Sequence, residues 1–167
     1  MSSGNYIISD KNDNHLCDMS VSIATSNNVK EGTYSFRLSN YLTVNGDKTD
    51  QVDTLAFMWK SKQGKAEACI RDMVFGDRLR GQGIGSLMWR LVYDTLPVEV
   101  RDNFYISGVL SPVDDESSYR KPFWSKIIGI GIHSDSYYDD IKIRRFSGRL
   151  TPENIESFPK INVKPLN

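Results

Sequence analysis

The stretch Arg80-Gly81-Gln82-Gly83-Ile84-Gly85 decides how this chain reads. It follows a strand-like run, Cys69-Ile70-Arg71-Asp72-Met73-Val74-Phe75, and opens an amphipathic helix that runs from Ser86 to Thr95. A strand that feeds a glycine-rich turn and then a helix N-terminus makes an anion site. Glycines let the backbone approach a ligand, the first helical N–H groups lack partners, and the helix dipole adds partial positive charge. A phosphate-bearing ligand is the expectation. A P-loop needs G-x-x-x-x-G-K-[ST], and Gly76 and Gly81 have that spacing, but Gln82 stands where lysine must reach the phosphates. A dinucleotide fingerprint needs G-x-G-x-x-G or a final alanine. Gly81, Gly83 and Gly85 are followed by Ser86 instead, and Asp102, near the distance of the ribose-binding acid, precedes the next strand rather than ending it.

The pattern that fits in full is R-x-x-G-x-G, carried by Arg80, Gly83 and Gly85 between a strand and an amphipathic helix. This resembles the pyrophosphate-binding motif of the GNAT superfamily of N-acetyltransferases. The resemblance implies that the loop amides from Arg80 to Ser86 (Arg80, Gly81, Gln82, Gly83, Ile84, Gly85, Ser86) bind the pyrophosphate of acetyl-CoA. It also implies that the strand edge at Met73, Val74 and Phe75 lies beside the pantetheine arm. Further on, Phe123-Trp124-Ser125-Lys126-Ile127-Ile128-Gly129 is similar to the family's short helix with an aromatic pair, a lysine and an exit glycine, with one extra residue before the glycine. Phe123 and Trp124 therefore join the expected CoA site. Tyr137-Tyr138 falls where many members carry tyrosines on their last strands, so the resemblance covers roughly residues 54–146.

The implied fold is α/β in the α+β sense: a mixed, mostly antiparallel sheet flanked by helices, with an atypical β-rich N-terminal region. At 167 residues, one domain over 1–167 is expected, with 1–50 as a divergent acceptor-side region and 147–167 as a C-terminal extension. Hydrophobic residues at 39% and charged residues at 25% suit a globular core. Lys+Arg equals Asp+Glu at 21 each, so bulk charge argues against a nucleic-acid partner, although an aminoacyl-tRNA stays chemically allowed as an acceptor. Cys17 and Cys69 have no C-x-x-C spacing, and His15 beside Cys17 makes no ligand cage, so no metal is expected. No apolar run approaches a membrane span, the first residues do not read as a signal peptide, and sparse cysteines suit a reducing compartment. The expectation is a cytoplasmic protein.

Alternation predicts strands over Leu16–Ala24, Thr33–Leu42, Leu55–Lys60 and Ala66–Phe75, with Gln63-Gly64-Lys65 turning the last two into a hairpin. Ile84, Leu87, Met88, Leu91 and Val92 recur at helical spacing, and Leu96-Pro97 ends that helix. Phe104–Leu110 reads as a buried strand, Lys121–Gly129 as a short helix, and Ile141–Arg144 as the last strand. Thr151-Pro152-Glu153 reads as a capped helix start. Two features depart from the family. Its tyrosine general acid in the short helix is replaced by Trp124, whose indole N–H donates but does not titrate usefully, and residues 11–50 look β-rich where members have helices.

Direct transfer needs a proton acceptor for the amine and a donor for the thioester oxygen. Parity on the motif strand sets Glu67 with Cys69, Arg71, Met73 and Phe75 on one face and Asp72 on the other. Glu67 is the preferred base, since some members keep one on this strand, and Tyr138 stands in as catalytic tyrosine, with Tyr119 and Tyr137 as alternatives. An N–H near Val74 or Phe75 is the expected oxyanion donor. Cys69 reads more simply as a small hydrophobe, His133 and Lys126 as surface groups, Arg78 as a second phosphate contact, and Arg144-Arg145 as charges that protect an edge strand or meet an acidic partner. The expected activity is acetyl transfer from acetyl-CoA as cosubstrate to an amine, small-molecule or protein. The alternatives are a CoA-binding or protein-interaction module without catalysis, and a longer-chain acyltransferase. Acceptor and oligomeric state, a homodimer included, stay open.

Overall fold

A computed structural model describes residues 2–39, 51–75, 79–110, 120–128, 132–138, 141–151, 153 and 161–166. Nine strands form one sheet: β1 (Gly4–Ser9), β2 (His15–Thr25), β3 (Glu31–Ser39), β4 (Gln51–Lys62), β5 (Lys65–Ile70), β6 (Phe104–Leu110), β7 (Ile132–Tyr138), β8 (Ile141–Arg149) and β9 (Asn162–Pro165). Their spatial order is β7-β8-β6-β5-β4-β3-β2-β1-β9. Every neighbouring pair is antiparallel except β5 and β6. Among the described residues three helices join them: α1 (Ile84–Thr95), the single turn α2 (Val98–Arg101) and α3 (Arg120–Ile128). The fold is thus mixed α+β with a mostly antiparallel sheet, and residues 2–39 are strands and turns, as the β-rich reading of this region predicts.

The strands form because alternate side chains find a core. On β3, Tyr34, Phe36 and Leu38 are buried while Thr33 and Arg37 are exposed. On β5, Ala66, Ala68 and Ile70 are buried while Lys65, Glu67 and Cys69 are exposed. The buried faces carry Ile8, Met19, Phe57, Trp59, Phe104 and Ile106, and α1 closes over them with Ile84, Met88, Trp89, Leu91 and Val92. Each such large side chain contributes about 1.5–3 kcal/mol before entropy is counted. A row of rings runs through this layer. Tyr34 stacks on Phe57 at 5.2 Å, Phe57 on Trp89 at 5.3 Å, Trp89 meets Trp124 edge-on at 5.7 Å, and Trp124 stacks on Phe146 at 4.5 Å.

The hairpin turn expected at Gln63-Gly64 is a two-residue turn with φ of 54° and 77°. Positive φ at both positions matches the twist of the flanking strands, and it sets Lys62 opposite Lys65. The strand expected to end at Arg144 continues to Arg149, because Phe146 and Gly148 pair with Gly108 and Ile106. The C-terminal extension is not free of the sheet. Asn162–Pro165 pairs antiparallel with β1, and the Leu166 N–H donates to the Asn5 carbonyl at 2.8 Å. The helix start expected at Thr151 falls mostly outside the described residues.

Tyr34 ties β3 to the end of α1. Its hydroxyl lies 3.0 Å from Thr95 Oγ1 and 3.5 Å from the Val92 carbonyl. Burial raises the phenol above its ordinary pKa, the Thr95 hydrogen bond opposing it in part. The folded state therefore disfavours the phenolate. Its contribution is fully present below the unfolded pKa of about 10 and is lost as pH climbs from there through the raised folded value. Melting temperature should fall more steeply between about pH 9 and pH 11 in the wild type than in Tyr34→Phe. Parallel curves would show that the phenol carries no such linkage.

Candidate ligand site at the divided end of the sheet

The segment β5–α1–β6 is the one parallel crossover among the described strands. In open sheets, ligands gather beyond the carboxyl ends of such strands, where the helix N-terminus supplies unpaired N–H groups. The glycine loop lies there. Gly81 and Gly83 have φ of 74° and 86°, conformations that a residue with a Cβ rarely adopts. Leu79 is buried and anchors the loop, while Arg80, Gly81 and Gln82 are exposed. Helix α1 begins at Ile84, with Gly83 as an N-cap that offers no side-chain cap and with no acidic residue in the first turn. The first intrahelical bond runs from the Leu87 N–H to the Gly83 carbonyl at 3.0 Å. The N–H groups of Ile84, Gly85 and Ser86 therefore precede the ladder, uncapped by any side chain at Gly83. Ile84 and Ser86 turn their side chains inward, so these two present backbone rather than side chain.

Gly85 is where three elements meet. A Cβ there would stand 3.1 Å from Met73 Cε, 3.1 Å from Phe123 Cε2 and 3.2 Å from Phe75 Cζ. The helix start, the segment after β5 and α3 thus converge on this residue, and the absence of a side chain permits it. Met73, Phe75, Gly85 and Phe123, all expected at the CoA site, are brought together. Trp124 points into the core, 8% exposed, between Trp89 and Phe146.

Parity along the motif strand does not hold. Trp59 pairs with Ala68, yet Leu55 faces Met73, so four residues of β4 match five of the motif strand. One extra residue is a β-bulge, and it lies where Arg71 and Asp72 are both exposed. The bulge turns Met73 and Phe75 to the helix face with Ala66, Ala68 and Ile70. Glu67 and Cys69 stay on the opposite face, so the expected single face of Glu67, Cys69, Arg71, Met73 and Phe75 is split in two. In the sequence the bulge coincides with two adjacent charged residues, Arg71-Asp72, a pair that by itself does not mark an insertion.

The bulge also divides the sheet. Parallel pairing of β5 with β6 ends at Ile70 and Gly108. Beyond it the chain stays with β4, and the Val74 N–H donates to the Thr54 carbonyl at 2.8 Å. Backbone groups alternate edges along a strand, so Met73 and Phe75 direct theirs to the opposite edge, toward β6. Of the two amides expected as oxyanion donors, the one at Val74 is spent on β4, and the one at Phe75 faces the divide. On the face away from α1 the divide is bordered by Val109, 47% exposed, and Val74, 40% exposed.

Glu67 lies three residues before Ile70, about 10 Å from the divide by strand rise. It is ion-paired with Lys65 and 60% exposed at the hairpin end. Asp72, on the bulge itself, is a carboxylate that borders the divide. Tyr138 ends β7 opposite Ile141, and Tyr137 precedes it; their side chains, like that of His133, lie outside the described residues. Arg78, Tyr119 and Gly129 lie outside them altogether. Cys69 is an exposed thiol and Cys17 a buried one. Among the described residues no group of histidine, cysteine and carboxylate side chains is arranged to hold a metal, and no helix is long and apolar enough to cross a membrane. No protein-family model matches the chain, and no curated protein is significantly similar to it.

Proposed function

We propose that the chain is an N-acetyltransferase that moves an acetyl group from acetyl-CoA to an amine. The observation that carries this is the uncapped α1 N-terminus, preceded by two left-handed glycines, at the end of a parallel strand pair that separates beside it. Backbone N–H groups there suit a pyrophosphate. The Met73–Phe75 edge, left without a strand partner on its β6 side among the described residues, suits the amide groups of a pantetheine arm. Met73, Phe75 and Phe123 supply apolar contact beneath it.

In this reading the amine nitrogen attacks the thioester carbon and forms the C–N bond. The carbonyl oxygen gains charge beside the Phe75 N–H. The C–S bond breaks, the nitrogen gives up one proton, and the sulfur gains one as it leaves, so the exchange balances. Asp72 replaces Glu67 as the group that relays this proton, because it stands at the divide whereas Glu67 does not. Trp124 is a core ring and plays no acid role, so a tyrosine of β7 or solvent protonates the sulfur.

Acetyl-CoA should raise the melting temperature, and thiol release should appear with a suitable amine. Asp72→Asn should lower kcat about a hundredfold while keeping the acetyl-CoA shift, and Glu67→Gln should change kcat less than about twofold. No stabilisation by acetyl-CoA in a folded sample would sink the reading. The burial of Trp124 where a titrating group is expected favours one second reading, a CoA-binding module that transfers nothing. Binding without thiol release toward any amine would select it.

A further inference from the structure

On the face away from α1, the row that crosses the divide is Arg71, Val109 and Arg145. Arg71 and Val109 follow the last β5–β6 pair, and Val109 faces Arg145 across β6 and β8. All three are exposed. Directly opposite residues of a ladder share a face. Val109 and Arg145 thus stand side by side about one strand spacing apart, and Arg71, one residue past the end of β5–β6 pairing, stands across the divide from Val109.

These two also differ from the other arginines whose side chains are described. Arg90 pairs with Asp94, Arg101 donates to the Asp94 and Leu96 carbonyls, Arg149 donates to the Asp102 carbonyl, and Arg37, Arg80 and Arg144 are engaged as well. The side chains of Arg71 and Arg145 make no hydrogen bond or ion pair with any described residue. Two unpaired guanidinium groups on either side of one opening, with an apolar floor between, match an anion that accepts from both. The glycine loop lies on the other face, against Met73 and Phe75. Donor phosphates and this arginine pair are thus on opposite sides of the sheet.

We infer that this face of the divide receives the acceptor, and that the acceptor is an amine carrying an anionic group, carboxylate or phosphate, held between Arg71 and Arg145. The inference rests on the acetyltransferase reading and adds the substrate class to it. The anionic group is unchanged in the reaction. Only the amine nitrogen bonds to the acyl carbon, the C–S bond breaks, the nitrogen gives up one proton, and the sulfur gains one as it leaves.

The test measures thiol release from acetyl-CoA with paired amines: the common amino acids, each against its carboxamide, and phosphoethanolamine against ethanolamine. Preference within the first set identifies a carboxylate, and within the second a phosphate. The anionic member of a productive pair should exceed its neutral counterpart at least about tenfold in kcat/KM. Arg71→Gln or Arg145→Gln should raise KM for the anionic member about tenfold to a hundredfold, leave its kcat and the neutral amine's rate in place, and be partly rescued by lysine. The acetyl-CoA thermal shift should be unchanged. Equal use of neutral and anionic amines, an unchanged KM in both variants, or no turnover of any anionic amine by a protein that binds acetyl-CoA would overturn the inference. So would variants that weaken CoA but not dephospho-CoA, since the arginines would then serve the donor's 3′-phosphate. A wild type that fails to bind acetyl-CoA at all would instead defeat the acetyltransferase reading.

Discussion

Gly83→Asp abolishes the stabilisation by acetyl-CoA while the protein stays folded. Position 83 has φ of 86° and ψ of 4°. Aspartate tolerates that left-handed conformation better than most side chains, at a cost of about 1 kcal/mol. Its carboxylate would also sit favourably at the positive end of the α1 dipole, which offsets part of the cost. The same charge stands where a pyrophosphate must approach the N–H groups of Ile84, Gly85 and Ser86, so binding suffers far more than folding. Ligand at about a hundred times its Kd stabilises by about 2.7 kcal/mol, about 5–10 °C for a domain of this size. That rise should be present in the wild type and missing in Gly83→Asp. Gly83→Asn, neutral and of nearly the same shape, should keep part of it. Thermal melts with and without acetyl-CoA decide the matter. Equal loss in both variants would assign the effect to bulk rather than charge, and a retained shift in Gly83→Asp would remove the loop from the ligand site.

Trp89→Ala costs about 3–5 kcal/mol of stability, enough to lower the melting temperature by about 10 °C or more. Trp89 is fully buried on α1, stacked on Phe57 of the sheet at 5.3 Å and edge-on to Trp124 of α3 at 5.7 Å. It is a ring on which helix, sheet and α3 meet. Its indole N–H is buried without a hydrogen-bond partner among the described residues. Part of what the ring gains by burial is thus already offset by an unmet donor. Trp89→Phe removes that donor along with one ring and should cost clearly less than Trp89→Ala, about 1–2 kcal/mol. Urea unfolding of the three proteins checks this order. Equal losses for Phe and Ala would show that the second ring, not the layer as a whole, supports the packing.

Which parts of the site were legible follows from the kind of information each requires. The glycine loop and α1 were legible because they depend on neighbours in sequence. Left-handed φ at Gly81 and Gly83 and the spacing of Ile84, Met88, Leu91 and Val92 are local properties. The β-rich start was legible from alternation in Tyr34, Phe36 and Leu38. Glu67 shows the other case. Its strand and its closeness to the Gln63-Gly64-Lys65 turn were legible, yet its distance from the divide depends on where pairing with β6 stops.

By itself the sequence determined a glycine-rich turn between a strand and a helix, and the order of most elements. Only the tertiary structure decided which faces and edges of the motif strand meet the site. One extra residue at Arg71-Asp72 reverses every later side chain, turning Met73 and Phe75 toward Gly85 and leaving Arg71 to share a row with Val109 and Arg145. A period-two pattern carries no memory of such an insertion. The partner strands β4 and β6 impose it, through hydrogen bonds between residues far apart in the chain.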